Sequence, residues 1–359
     1  MFVSMPIAWL EALRLFIVRR DDVKTVIAGY PWFLDWGRDT FIFMRGMIAC
    51  GMVDDALGIL REFAAFEENG TLPNIIHGRV AGNRDTVDAQ LWFVRCVGEI
   101  ERARPGCAAS LRKTCESIVD GYLRGTPNGI RVDRDSSLVW SPSHFTWMDT
   151  NFPACTPRAG YAVEVQALWI SALDFLGRSE TAAKARSSVE RYFKSPRGYA
   201  DCLDAPNGEC AEAARPDFSV RPNQLFLVTL GVSDDRAIVE AAAELAVPGA
   251  MRSLSSSDPK YRGVYAGDED TCRKQAYHNG TAWAWTFPTF VEAALMLGLV
   301  DAKSALAMLA SSVELLNAGA LGQICEISDG DAPHRQRGCC AQAWSASEFL
   351  RVIALAEAI

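Results

Sequence analysis

Residues 160–177, Gly-Tyr-Ala-Val-Glu-Val-Gln-Ala-Leu-Trp-Ile-Ser-Ala-Leu-Asp-Phe-Leu-Gly, decide how the rest of the chain is read. Val163, Leu168, Ile170, Leu173 and Leu176 recur at near-helical spacing with alanine between them, which is the pattern of a helix. A second amphipathic period follows almost at once, over 179–194. The two make an αα-hairpin joined by a short turn. Outward from this hairpin, the same spacing of apolar residues appears at about 6–20, 39–50, 52–68, 85–103, 107–124, 222–231, 234–246, 279–298, 301–316 and 340–357. The connections alternate. Short ones follow 39–50, 85–103, 160–177, 222–231 and 279–298, and long ones separate the pairs. Six helical hairpins with short turns at one end and long loops at the other predict an all-α (α/α)6 toroid of two concentric helix rings. An open solenoid would need self-similarity at a fixed period, which the sequence lacks. Strand-like alternation is weak and confined to the neighbourhood of 129–139, and no linker rich in Pro, Gly or Ser divides the chain. Residues 1–359 are therefore expected to form a single domain, its long loops lining one mouth.

The composition suits a large core: 49% of residues are hydrophobic and 22% charged, which excludes a disordered chain. The net charge is −8 with no basic stripe, so neither nucleic acid nor a polyanionic substrate is expected as a partner. Eleven cysteines, an odd number without a Cys-x-x-Cys pair, read as reduced thiols in a cytoplasmic protein. The opening Met1–Arg20 carries Glu11 and Arg14 and lacks a basic start, so it is not expected to be a signal peptide. No run of eighteen apolar residues is present to span a membrane. Phosphate-binding glycine loops following a strand, a G-x-S-x-G elbow and an H-E-x-x-H helix are all missing. No cofactor and no metal are expected, although Cys339, Cys340, His278 and His334 keep a toroid zinc enzyme open as an alternative.

Polar and aromatic residues gather in the long loops, where function usually sits. Tyr30-Pro31-Trp32-Phe33-Leu34-Asp35-Trp36-Gly37-Arg38-Asp39-Thr40 sets aromatics beside carboxylates and a guanidinium. Asp39 is a candidate helix N-cap, yet the same residues suit a sugar, whose hydroxyls need bidentate partners and whose C–H face needs a flat apolar surface. Asp88 follows Asp85 and Thr86 at the start of the 85–103 helix, where the dipole favours an anion. Asp149 stands among Trp147, Met148 and Phe152. Apolar surroundings raise a carboxyl pKa, as a general acid near neutrality requires, although a plain turn aspartate is the simpler reading. Arg158 and Glu164 come next, then Arg221-Pro222-Asn223-Gln224, then Tyr277-His278-Asn279-Gly280 with Trp283 and Trp285. His278 alone would more often be structural. Glu326 is flanked by apolar residues before the last helix, which carries Trp344. Two carboxylates from distant loops across an aromatic-lined mouth are what glycosidic hydrolysis needs. Separations of about 6.5–9.5 Å imply inversion and about 5–5.5 Å retention.

Taken together these segments resemble the C-terminal amylo-α-1,6-glucosidase domain of glycogen debranching enzymes, and more loosely the glucoamylase and trehalase type of toroid glycosidase. The resemblance rests on Ala28-Gly29-Tyr30-Pro31-Trp32-Phe33 with Asp35-Trp36-Gly37-Arg38-Asp39-Thr40, Leu72-Pro73-Asn74, Thr86-Val87-Asp88-Ala89 and Thr146-Trp147-Met148-Asp149. It continues through Thr156-Pro157-Arg158, Val163-Glu164, Arg221-Pro222-Asn223-Gln224, Tyr277-His278-Asn279-Gly280 and Asp329-Gly330-Asp331 with Ala341-Gln342-Ala343-Trp344-Ser345. It implies an inverting hydrolase that removes the single α-1,6-linked glucose left at a branch of a glycogen-like α-glucan. Glu326 matches the family's catalytic base; Asp149 is preferred as the acid, with Asp88 the alternative. Trp36, Arg38, Asp39, Asp88, Trp147, Arg158, Glu164, His278 and Trp344 are implied to hold the sugar. Arg84-Asp85 and Gly160-Tyr161-Ala162 depart from the family's usual residues, so substrate contacts are expected to differ there. Full-length relatives carry an N-terminal domain, and in eukaryotes a transferase part. This chain is expected to be a stand-alone hydrolase, a fragment, or one half of a split enzyme that associates through the face such a domain would cover. Competing readings are a carbohydrate-binding remnant without turnover and a glycoside phosphorylase on the same fold.

Overall fold

The computed structural model describes residues 7–313, 315–316 and 319–359. The first residues of the expected 6–20 helix and of the opening segment, and residue 314 of the 301–316 helix, lie outside them. Thirteen helices run through the described residues: α1 (Ile7–Arg14), α2 (Gly37–Ala49), α3 (Val53–Ala64), α4 (Ala89–Ala103), α5 (Arg112–Arg124), α6 (Val163–Leu176) and α7 (Ser179–Tyr192) come first. There follow α8 (Leu225–Thr229), α9 (Ala237–Ala242), the one-turn α10 (Lys274–Tyr277), α11 (Thr286–Met296), α12 (Ala302–Val313) and α13 (Ala343–Glu357). Six of them form an inner ring: α2 packs on α4, α4 on α6, α6 on α8, α8 on α11, α11 on α13, and α13 returns to α2. Of the remaining elements, α1, α3, α5, α7, α9 and α12 lie outside, each against one or two helices of the inner ring. The expected (α/α)6 toroid is the observed fold.

The residues explain which helix goes where. Helix α6 buries eleven of its fourteen positions, Glu164 and Gln166 among them, because a helix apolar around most of its circumference has to be enclosed. Its hairpin partner α7 buries only Ala182, Ala185, Ser188 and Val189 and shows water its charged face. At the α2–α13 contact Gly46 lies so close to Ser347 that a methyl group added there would sit 2.6 Å from the Ser347 carbonyl oxygen. Beneath the mouth, an ion network ties the inner ring together: Arg351 binds Glu292 and Glu348, Arg45 binds Glu348 and Glu99, and Arg95 binds Glu99.

The long loops hold more strand than the sequence predicts. Their backbone groups must find partners, and they find them in short antiparallel pairings. One sheet joins 246–247, 250–252, 282–283, 327–328 and 336–337 in that order. Gly29–Tyr30 pairs with Ala341–Gln342, which links the first long loop to the last and completes the ring on the loop side. The expected 6–20 helix is also shorter: it stops at Arg14, and Ile17–Arg20 forms a hairpin with Val23–Val26, turning at Asp21 with φ +54°. Ile17 and Val18 favour the extended form, and an aspartate tolerates the left-handed turn. Helix α2 begins at Gly37, so its N-cap is Trp36 and not Asp39, which lies in the first turn with its carboxylate turned inward. At α4 the capping acceptor is Thr86, whose Oγ1 takes the Ala89 N–H at 3.3 Å.

Candidate active site

At the long-loop end the ring holds a cavity of about 190 Å3. Phe33, Trp36, Arg38 and Asp39 reach it from the first loop and the start of α2. Trp147 and Asp149 come from the loop before α6, Tyr277 from α10, and Trp283, Glu326, Gln342 and Trp344 from the last two loops and the start of α13. The walls are tryptophan. Trp147 meets Trp283 and Trp285 edge-on at 5.1 and 5.2 Å between ring centroids, and its Nε1 donates to Asn223 Oδ1 at 2.8 Å. Trp285 in turn stacks on Trp344 at 5.1 Å. Together these rings make a rigid apolar surface on that side of the cavity.

The two carboxylates preferred in the sequence both face this cavity, and they are held by different chemistry. Asp149 Oδ2 accepts from Arg38 Nη1 at 2.9 Å, and Oδ1 lies 3.9 Å from His278 Nε2. Its side chain is 38% exposed, all the same deep enough in the ring that lost hydration pushes its pKa up; the Arg38 charge pulls the other way. Arg38 is itself fixed, Nε on Asp88 Oδ1 at 2.7 Å and Nη2 on Thr86 Oγ1 at 3.2 Å. Glu326 is almost fully buried, and among the described residues no cation pairs with it. Its Oε1 accepts from the Tyr277 hydroxyl and its Oε2 from the Cys339 N–H at 2.8 Å. Burial pushes its pKa up to about 7 against those two hydrogen bonds, with the Asp149 charge adding to the rise. Gly338, at φ +63°, passes so near that a Cβ would lie 2.3 Å from Glu326 Oε2. Asp39 accepts from Gln342 Nε2 at 2.9 Å, and burial lifts its pKa to about 8, with Arg38 opposing.

Of the residues singled out in the sequence, Trp36, Arg38, Asp39, Trp147, Asp149, Glu326 and Trp344 share the cavity wall. Four do not. Asp88, the alternative acid, is 1% exposed and set behind Arg38, so it positions the guanidinium and does not reach the cavity. Arg158 and Glu164 are paired through two hydrogen bonds of 2.5 and 2.7 Å in the wall behind, with Asp201 2.8 Å from Arg158 Nε, which leaves them no face for a sugar. His278 is buried beneath Asp149. Conversely Phe33, Tyr277, Trp283 and Gln342 line the cavity without having been given a role. All four stand inside the clusters read from the sequence, but spacing alone does not tell which ring of a cluster turns inward. The residues that kept a zinc enzyme open do not assemble: among the described residues no three His, Cys, Asp or Glu side chains gather in a way that could hold a metal ion. Nor, among those residues, is any helix long and apolar enough to cross a membrane.

A family profile described as Amylo-alpha-1,6-glucosidase matches residues 12–351. The chain belongs to the amylo-alpha-1,6-glucosidase family. It is similar to the glycogen debranching enzyme of Saccharomyces cerevisiae, 24% identical over 394 aligned positions that cover 77% of this chain and 26% of the yeast protein. The chain thus spans about a quarter of the length of that curated relative. Among solved structures its fold is similar to a GH63 mannosylglycerate hydrolase from Thermus thermophilus in complex with glucose, with a TM-score of 0.72, 14% identity, and coverage of 97% of this chain and 99% of the other. A bacterial glucoamylase complexed with acarbose aligns at a TM-score of 0.61 and 14% identity over 97% of this chain and 55% of that one. The chain thus belongs to a family of glycosidases, and it shares its fold with these two solved enzymes.

Proposed function

We propose that this family member is an inverting, exo-acting amylo-α-1,6-glucosidase that releases the glucose at α-1,6 branch points of glycogen-like α-glucans. The observation that carries the reading is the pair Asp149 and Glu326, drawn from separate loops onto one tryptophan-walled cavity. Asp149, in its protonated form, gives its proton to the glycosidic oxygen. That oxygen leaves with the electron pair of the broken C1–O bond. A water molecule attacks C1 from the opposite face and loses its proton to Glu326, and the product is β-glucose. A base whose pKa lies near 7 is strong enough to take that proton and still ionised in part at neutral pH. Arg38 holds Asp149 in place and stabilises it once it is charged. The indole faces of Trp36, Trp147 and Trp344 support packing of the sugar ring, and Asp39 with Gln342 offers hydrogen bonds to its hydroxyls. The preference for α-1,6 branches draws on the family and on the yeast relative's name.

Hydrolysis is favoured over phosphorolysis by the charges on the wall. Arg38 is the one cation among the described residues that line the cavity, and Asp88 and Asp149 already claim it. The chain is taken as one catalytic unit working on α-glucan in the cytoplasm. The test is to compare the wild type with Asp149→Asn and Glu326→Gln on a branched limit dextrin. Each variant is expected to lose about 100- to 10,000-fold in kcat with KM little changed. Full activity in both contradicts the assignment.

A further inference from the structure

Tyr277 and His278 are neighbours in the chain, yet each addresses a different working carboxylate. The Tyr277 hydroxyl donates to Glu326 Oε1, and His278 presents Nε2 3.9 Å from Asp149 Oδ1. The histidine is fully buried, and among the described residues neither of its ring nitrogens has a hydrogen-bond partner. A buried N–H left unpaired is costly, so a group that must make a hydrogen bond is waiting beside the carboxylate expected to become charged. A gap of 3.9 Å is about 1 Å beyond hydrogen-bond length, and catalytic contacts in empty sites are commonly long until substrate arrives.

The pair is bolted in place. The Tyr277 carbonyl accepts from Trp283 Nε1 at 3.0 Å and from the Thr281 hydroxyl. Arg221 Nη1 donates to the His278 carbonyl while Nη2 reaches Asn279 Oδ1 at 2.8 Å. Asn279 Nδ2 donates to the Cys155 carbonyl at 3.1 Å, on the same loop as Asp149. The imidazole lies flat on Trp283, at 8° and 5.0 Å between centroids. Burial and the charges of Arg221, Arg38 and Arg158 around it keep the ring neutral. Glu326, for its part, faces Tyr277 and feels the charge of Asp149, and it bears in turn on Asp39 and Tyr265.

We infer that the Tyr277-His278 dipeptide is a paired positioning element that sets acid and base apart: the tyrosine hydroxyl fixes the Glu326 carboxylate, and the histidine Nε2–H captures Asp149 Oδ1 as Asp149 loses its proton. This rests on the proposed hydrolytic reading. In the step itself the Asp149 proton passes to the leaving oxygen; His278 donates a hydrogen bond to the new carboxylate and neither gains nor loses a proton.

The experiment measures kcat and kcat/KM against pH, on a branched limit dextrin, for the wild type, Tyr277→Phe, His278→Phe and His278→Gln. Tyr277→Phe removes a donor from the charged form of the base, so the acidic limb of kcat/KM is expected to move up by about one pH unit with the alkaline limb unmoved. His278→Phe is expected to lower kcat about 10- to 100-fold with KM changed less than about threefold, and to move the alkaline limb up as ionised Asp149 loses its donor. His278→Gln, which keeps an N–H, is expected to recover much of the loss. Unmoved limbs in both Phe variants, or His278→Phe shifting only the acidic limb, overturn the inference. A wild type that releases no glucose overturns the hydrolytic reading instead. In that case carboxyl 13C NMR, with the Glu326 signal assigned through Glu326→Gln, still decides: titration of Glu326 unchanged by Tyr277→Phe overturns the role of the tyrosine.

Discussion

Glu326 has been buried at a cost, and the cost has a sign. Its pKa stands at about 7 in the folded chain against an ordinary 4.5, so the native state holds the proton more tightly than the unfolded chain does. The resulting stabilisation is complete below about pH 4.5 and is lost as pH rises through 7. At pH 8 the ionised, buried carboxylate therefore weakens the fold by an amount on the order of 3 kcal/mol. Glu326→Gln is expected to raise Tm above wild type at pH 8 and to leave it nearly equal at pH 4.5, as thermal denaturation at the two pH values would read. A Tm unchanged at pH 8 contradicts the strained setting of the Glu326 carboxyl. This residue was legible in the sequence as a carboxylate among apolar neighbours before the last helix. Its supports were not: the Cys339 N–H and the Gly338 backbone reach it through a hairpin, Ile327–Ser328 on Gln336–Arg337, whose register no periodicity reveals. Arg158 and Glu164 show the opposite case. Their residue types suited a sugar, but a guanidinium and a carboxylate six residues apart satisfied each other first.

Helix identity and order were legible because the apolar period of the inner helices is strong and the hairpin turns are short. What escaped was the strand content of the long loops, since pairs of two residues leave no period to detect. The inner helices also meet more closely than their sequence suggests. Gly46 of α2 sits against Ser347 of α13, with room for hydrogen and not for a methyl group. Gly46→Ala would gain roughly 1 kcal/mol of helix propensity, and would lose more by overpacking, typically about 1–3 kcal/mol, because the clash is with backbone. Denaturant unfolding is expected to show a net loss of about 1–2 kcal/mol, and Gly58→Ala in α3, where an added Cβ meets nothing within 4 Å, is expected to be stabilising instead. Equal effects at the two positions contradict the close α2–α13 contact.

At the scale of the whole ring, closure depends on charges as well as on apolar packing. Arg351 grips Glu292 of α11 and Glu348 of its own helix, and Arg45 of α2 carries the chain on to Glu99 of α4. Four of the six inner helices are thus joined beneath the cavity. Nearby arginines hold Glu99 down to about 2 and keep Glu292 below its usual range in spite of burial, so both favour folding above about pH 4.5 and lose that effect as pH falls toward 2. Glu292→Gln leaves Arg351 partly uncompensated and is expected to destabilise by about 3–5 kcal/mol at pH 7, the difference shrinking below about pH 4. A loss under 1 kcal/mol at pH 7 contradicts a closing role. The ring brings Asp149 and Glu326 to one hollow, and the stereochemistry of the product reports most directly on the roles proposed for them. Proton NMR of the glucose first released from a branched limit dextrin is predicted to show the β-anomer, mutarotating afterwards to the equilibrium mixture. Initial α-glucose, or α-glucose 1-phosphate formed only when phosphate is present, would contradict an acid and a base working across a water.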